Sequence, residues 1–84
     1  MKILFSAKFE KEYMKLPKEL KHLVRKKITL FIANPFDSRL DTHKLHGALR
    51  NYFAFSINNK YRIVFSFAEK DIIKFHFVGS HDIY

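Results

Sequence analysis

The chain has no cysteine. That excludes a disulfide framework, a thiolate zinc site and a thiol nucleophile, and it suits a reducing cytoplasm, where the protein is expected to work. Glycine and proline are scarce, two of each in 84 residues, so long irregular loops are not expected. No apolar run approaches the roughly 20 residues that cross a bilayer. The opening Met1-Lys2-Ile3-Leu4-Phe5-Ser6 meets Lys8 and Glu10 too early to be a signal peptide. Acids are few as well: 8 Asp and Glu stand against 16 Lys and Arg, leaving a formal charge of +8. Solubility alone does not require so one-sided a charge. It predicts attraction to polyanions: nucleic acid, an acidic protein partner or an anionic surface.

What the chain has in quantity is aromatic residues. Ten Phe and four Tyr make it 17% aromatic. A domain this short buries only about 60–65% of its unfolded surface, so large rings are an economical way to fill a core. Residues 1–84 read as one domain with no repeat, linker or low-complexity stretch.

The hydrophobic pattern predicts an α+β chain in the order βααβββ. Lys2 to Ser6 reads as a strand. Ser6 suits an N-cap, and Phe9, Tyr13 and Leu16 follow at helical spacing up to Pro17. Leu20, Leu23, Val24, Ile28, Phe31 and Ile32 mark a second helix over about Lys18 to Ala33, stopped by Asn34-Pro35. The tight Pro-containing connection predicts a helical hairpin. Phe36 to Asp41 reads as loop, with a turn at Gly47. Tyr52 to Ile57, Lys60 to Phe67 and Ile72 to Val78 read as three strands, turned at Asn58-Asn59 and Glu69-Lys70-Asp71 and ended by Gly79-Ser80. Three hairpin-linked runs predict an antiparallel sheet, with the helices on one face and the other face partly open. The first strand joins it at an edge or within.

The charge falls into two sets. Lys18, Lys21, Arg25, Lys26 and Lys27 are read as the solvated back of the second helix. Arg39, Lys44, Arg50, Lys60, Arg62, Lys70 and Lys74 lie nearer the strands. Arg62 interrupts the apolar run Tyr61-Arg62-Ile63-Val64-Phe65. It must meet an acid, Asp71 or Glu69, or project from an open face to grip a phosphate. Of five His, His22 is read as surface and His76 as buried and stacked among Phe75 and Phe77. His43, His46 and His81 fall at strand edges or loops, where reactive groups are displayed. Cleaving RNA without a metal needs a base for the 2′-hydroxyl, an acid for the leaving 5′-oxygen and a fixed cation for the phosphorane. His43 or His46, His81 and Arg62 supply those types. His43-x-x-His46 with His81 is also a weak match to a three-His metal site, but no carboxylate or Cys accompanies it.

Several stretches, in order, resemble one family. They are Lys15-Leu16-Pro17-Lys18, Asn34-Pro35, Leu40 through His43-Lys44-Leu45-His46-Gly47, Tyr61-Arg62-Ile63-Val64-Phe65, and Val78-Gly79-Ser80-His81-Asp82-Ile83-Tyr84. Together they resemble the RelE/ParE superfamily of bacterial type II toxins, closest to its YafQ-like branch. The resemblance implies a microbial-ribonuclease-like fold and a metal-independent endoribonuclease, without cofactor, that cuts mRNA on the ribosome. It implies a cognate antitoxin as partner in a hetero-oligomer, and no membrane. It places His81, Arg62 and His43 in catalysis. Lys44, His46, Arg50 and Lys60 would hold the RNA, and Tyr84 would stack on a base. Ser56 and Lys60 stand where the YafQ-like pattern has a His and an Asp. Other branches poison DNA gyrase and cut nothing, and a relic that only binds its antitoxin would keep the same fold; these are the alternative readings.

Overall fold

The computed structural model describes residues 1–80, so His81 and Tyr84 lie outside the described residues. The elements are β1 (Lys2–Phe5), α1 (Ala7–Met14), α2 (Lys18–Ala33), β2 (His43–Lys44), β3 (Phe53–Ser56), β4 (Tyr61–Glu69) and β5 (Ile72–Ser80), with single 3-10 turns at Ser38–Leu40 and Gly47–Leu49. The expected α+β class, the helical hairpin on one face and the order of elements all stand. Three details differ.

The sheet has five strands, ordered β1-β5-β4-β3-β2. The added strand β2 is only two residues long, His43 opposite Ala54 and Lys44 opposite Phe53, too short to show an alternating pattern in sequence. Strand β1 takes the opposite edge and pairs parallel to β5, from Lys2 with Ile72 to Phe5 with Phe75, so the sheet is mixed at that edge. Gly79-Ser80 does not end the last strand; Arg62 pairs with Gly79 and Tyr61 with Ser80. Pairing with β4 keeps Gly79 extended.

The helices begin as the sequence predicts. The Ser6 hydroxyl accepts the Phe9 N–H at 2.9 Å and donates to the His76 carbonyl at 2.6 Å. Glu12, six residues further along in α1, accepts the Val78 N–H at 3.0 Å. Strand β1 stops at Phe5, so these two side chains take over where it leaves β5 without a strand neighbour. Edge backbone groups are thereby satisfied rather than left to pair with another chain. Arg25 Nη1 donates to the Tyr13 hydroxyl at 2.7 Å and ties α2 to α1.

The core lies between α2 and the sheet. Phe31 is fully buried and sits 4.6 Å from Phe55, 4.9 Å from Phe65 and 5.4 Å from Phe75, ring centre to ring centre. The first contact is stacked and the other two are edge-on, the arrangements that ring quadrupoles favour. Phe9, Val24, Ile63, Ile73 and Val78 complete this layer. On the other face, among the described residues, a smaller cluster of Leu45, Ala54 and Val64 is covered by Leu49, Tyr52 and Phe77 and by no helix.

Candidate functional site

Cross-strand register decides what the open face displays, because directly paired residues project to the same side. Ser56, Arg62 and Gly79 form one row across β3, β4 and β5. His43, Ala54, Val64 and Phe77 form the next row. Beyond them lie Tyr52, Ser66 and His76.

Arg62 projects from the middle of the sheet onto this face. Its Nη1 donates to the Ser56 hydroxyl at 2.6 Å. Glu69 and Asp71, the acids considered for it in the sequence, belong to the far end of β4 and the turn after it. The half-buried guanidinium is held by the sheet rather than swinging on a loop. Ser80, the last described residue, pairs with Tyr61 beside it.

His43 is exposed at the outer strand. Its Nδ1 lies 2.9 Å from the Asp41 carbonyl. A carbonyl only accepts, so Nδ1 carries the proton, and in the neutral ring Nε2 is left with its lone pair toward solvent. The turn that makes this contact needs Asp41 at a positive φ of 49°, a conformation Asp tolerates. His43, Lys44, Leu45, His46, Ala48 and Leu49 border a shallow cleft of about 430 Å³. His46 and Arg50 flank the 3-10 turn at Gly47–Leu49, both exposed. Lys60 is exposed in the β3–β4 turn, where the Asn58 side chain accepts the Lys60 and Tyr61 N–H groups at 2.9 and 2.8 Å. Arg62 and His43 thus share one side of the molecule, whereas Lys44, opposite Phe53, projects by the same register to the other face, and the Lys60 amine lies 5.7 Å from the centre of the Tyr61 ring. The basic face of α2 is on the opposite side, across the core. Among the described residues no three His, Asp or Glu side chains converge as a metal site requires, and no helix is long and apolar enough to cross a membrane.

His76 departs from the sequence reading. Its ring does not sit between Phe75 and Phe77; it is half-buried and stacked on Tyr52, with ring centres 4.6 Å apart and planes 23° from parallel. Ser66 and His76 Nε2 share a 2.7 Å hydrogen bond. The cause is a β-bulge. Phe77 pairs with Val64 and Phe75 with Phe65, leaving His76 as the extra residue. The bulge puts His76 and Phe77 on the same face, a break in the two-residue period that strict alternation misses. Burial, with a smaller contribution from the nearby Lys74 charge, lowers the His76 pKa below the ordinary imidazole value. Lys8 also reaches this face, its Nζ 4.7 Å from the centre of the Phe77 ring. Tyr52, Ser66, His76 and Lys8 had no site signal in the sequence; only the bulge and the pairing register reveal them.

No protein-family model matches the chain, and no curated protein is a significant match. Solved structures do match. The chain has the fold of the RelE/ParE-type toxins. YafQ from E. coli strain BL21(DE3) aligns with a TM-score of 0.79 at 20% identity, over 95% of this chain and 92% of that one. A YoeB/ParE toxin from Agrobacterium tumefaciens aligns at 0.81 and 15% identity, over 96% and 99%. RelE in an archaeal RelE-RelB complex from Pyrococcus horikoshii OT3 aligns at 0.77 and 18% identity, over 99% and 97%.

Proposed function

We propose that the protein is the toxin of a type II toxin–antitoxin module and a metal-independent endoribonuclease that cuts mRNA on the ribosome. The observation that carries this reading is the open sheet face, where a strand-held Arg62 shares a surface with a His43 whose Nε2 is available as a base. The fold supports the same reading, since similar folds are found in YafQ and in RelE bound to RelB. A protein antitoxin is the matching partner, because a +8 chain offers an acidic partner a large electrostatic gain.

The mechanism follows from the groups present. His43 Nε2 takes the proton of the 2′-hydroxyl, whose oxygen attacks the adjacent phosphorus. Arg62, anchored by Ser56, stabilises the charge that builds on the phosphorane oxygens. His81, next in the chain after Ser80, gives a proton to the departing 5′-oxygen. Lys44, His46, Arg50 and Lys60 hold the backbone, and Tyr84 stacks on a base. The positive surface steers the protein to ribosomal RNA.

Primer extension on a reporter mRNA in a cell-free translation reaction tests this. Cleavage in phase with codons, absent when ribosomes are omitted, is the expected result. Intact mRNA with inhibited DNA supercoiling would replace it with the gyrase-poison reading, and intact mRNA with antitoxin binding alone would leave the relic reading.

A further inference from the structure

The pair Tyr52–His76 lies at the end of the open face away from Arg62. Ser66, which holds His76, is four residues along β4 from Arg62, a separation of about 13 Å at the strand rise. Groups that far apart engage different nucleotides of one strand. The pair has the makings of a flat, uncharged platform: two stacked rings, an imidazole fixed by Ser66, and the apolar cluster of Leu45, Ala54 and Val64 beneath. The strand that carries His76 is pinned from behind, its carbonyl taken by Ser6 and the Val78 N–H by Glu12. Cations border it. Lys74 pairs with Ser66 across the strands, Lys8 lies over the Phe77 ring, and Arg50 closes the 3-10 turn just before Tyr52.

A buried core does not require this arrangement. Among the described residues no helix lies over this face, both rings are half-buried rather than buried, and a bulge brings Phe77 onto the same face as His76. Stacked aromatic surface ringed by cations is what binds single-stranded nucleic acid: the ring takes the base and the cations take the backbone.

We propose that Tyr52 and His76 form a base-stacking subsite for single-stranded RNA, displaced along the open face from the phosphate held at Arg62. The proposal rests on the RNA-directed reading above and adds a second anchor to it. Tyr52 provides the stacking surface. His76 and Ser66 are positioning residues that hold the Tyr52 ring. Lys74 and Lys8 hold the flanking phosphates. With anchors at both ends, the strand is stretched across Val64 between them, which fixes the direction in which RNA crosses the sheet.

The test is binding of a short 2′-O-methyl RNA, which has no free 2′-hydroxyl and cannot be cut, with 2-aminopurine placed at one position at a time. The wild-type chain should bind and quench the probe strongly at a single position. Tyr52→Leu, which keeps the apolar cover but removes the ring, should weaken binding about tenfold or more and abolish that quench. Tyr52→Phe should preserve both. Arg62→Ala should weaken binding yet leave the quench at saturation, since it acts at the other anchor. Thermal melts establish that each variant is folded. If Tyr52→Leu is folded and binds and quenches like wild type while Arg62→Ala binds weakly, the subsite is wrong and the RNA-directed reading stands. If the wild-type chain does not bind the RNA at all, the subsite is wrong, and the cleavage assay with ribosomes decides the RNA-directed reading separately.

Discussion

The two faces of the sheet are built to different rules. On the helix side Phe31, Phe55, Phe65 and Phe75 are all 0% exposed and meet ring to ring. On the open side the buried apolar residues are Leu45, Ala54 and Val64, with no aromatic among them, and Ser56, Arg62, Ser66 and His76 stand around them. Both faces use the same strands, with alternate residues assigned to each. A chain of 84 residues can therefore place its stability on one side and its chemistry on the other. Substitutions on the two faces, having few shared partners, should act nearly independently.

The largest effect should come from the closed face. Phe31→Ala removes the ring against which three other rings pack and should cost about 3–5 kcal/mol, a large share of what a small domain has. A urea melt would measure it, with a midpoint shift at unchanged slope as the expected outcome. On the open face, His43→Gln should leave the melt unchanged and lower mRNA cleavage about 100-fold or more, the usual weight of a general base. A melt displaced as far as that of Phe31→Ala would show that the faces are not separable. Ser56→Ala should cost less, about tenfold in cleavage, because it removes one hydrogen bond to Arg62 and leaves the cation in place.

Two smaller effects depend on pH. The His76 pKa is lowered in the folded chain, so the unfolded state takes up the proton first as pH falls below about 6.5. Stability should be full above that value and decline on acidification, and His76→Gln should flatten the decline in melts between pH 7 and 5. Asp37 is the least of these. The Arg39 side chain and N–H hold its carboxylate down to about 2, in an ion pair of 2.8 Å that is open to solvent. The contribution is present above the ordinary Asp value and lost as pH falls from about 4 toward 2. Solvent and salt screen it, so Asp37→Asn should barely move the melting temperature even there.

How much of this was legible depended on period. The helices were readable to the residue at Lys18–Ala33, because Pro17, Asn34 and Pro35 punctuate a strong 3.6-residue repeat. The Ser6 cap was readable for the same reason. Arg62 could be found because it breaks an apolar run, but its partner Ser56 could not, since register across a hairpin is not written in either strand alone. Strand β2 was too short to carry a pattern. The Tyr52–His76 pair was invisible because it depends on which residues of β4, β5 and the approach to β3 lie side by side, and local sequence gives no sign of that. His81 and Tyr84, expected in the site, lie outside the described residues, and their roles remain proposals.

The most direct test compares one cation from each face. Reporter mRNA cleavage in a cell-free translation reaction would be measured for wild type, Arg62→Ala and Lys26→Ala, the last from the exposed back of α2. Arg62→Ala should lose about 100- to 1,000-fold, the scale of removing one transition-state charge stabiliser, with Lys26→Ala close to wild type. Cleavage by Arg62→Ala at the wild-type rate would contradict that role.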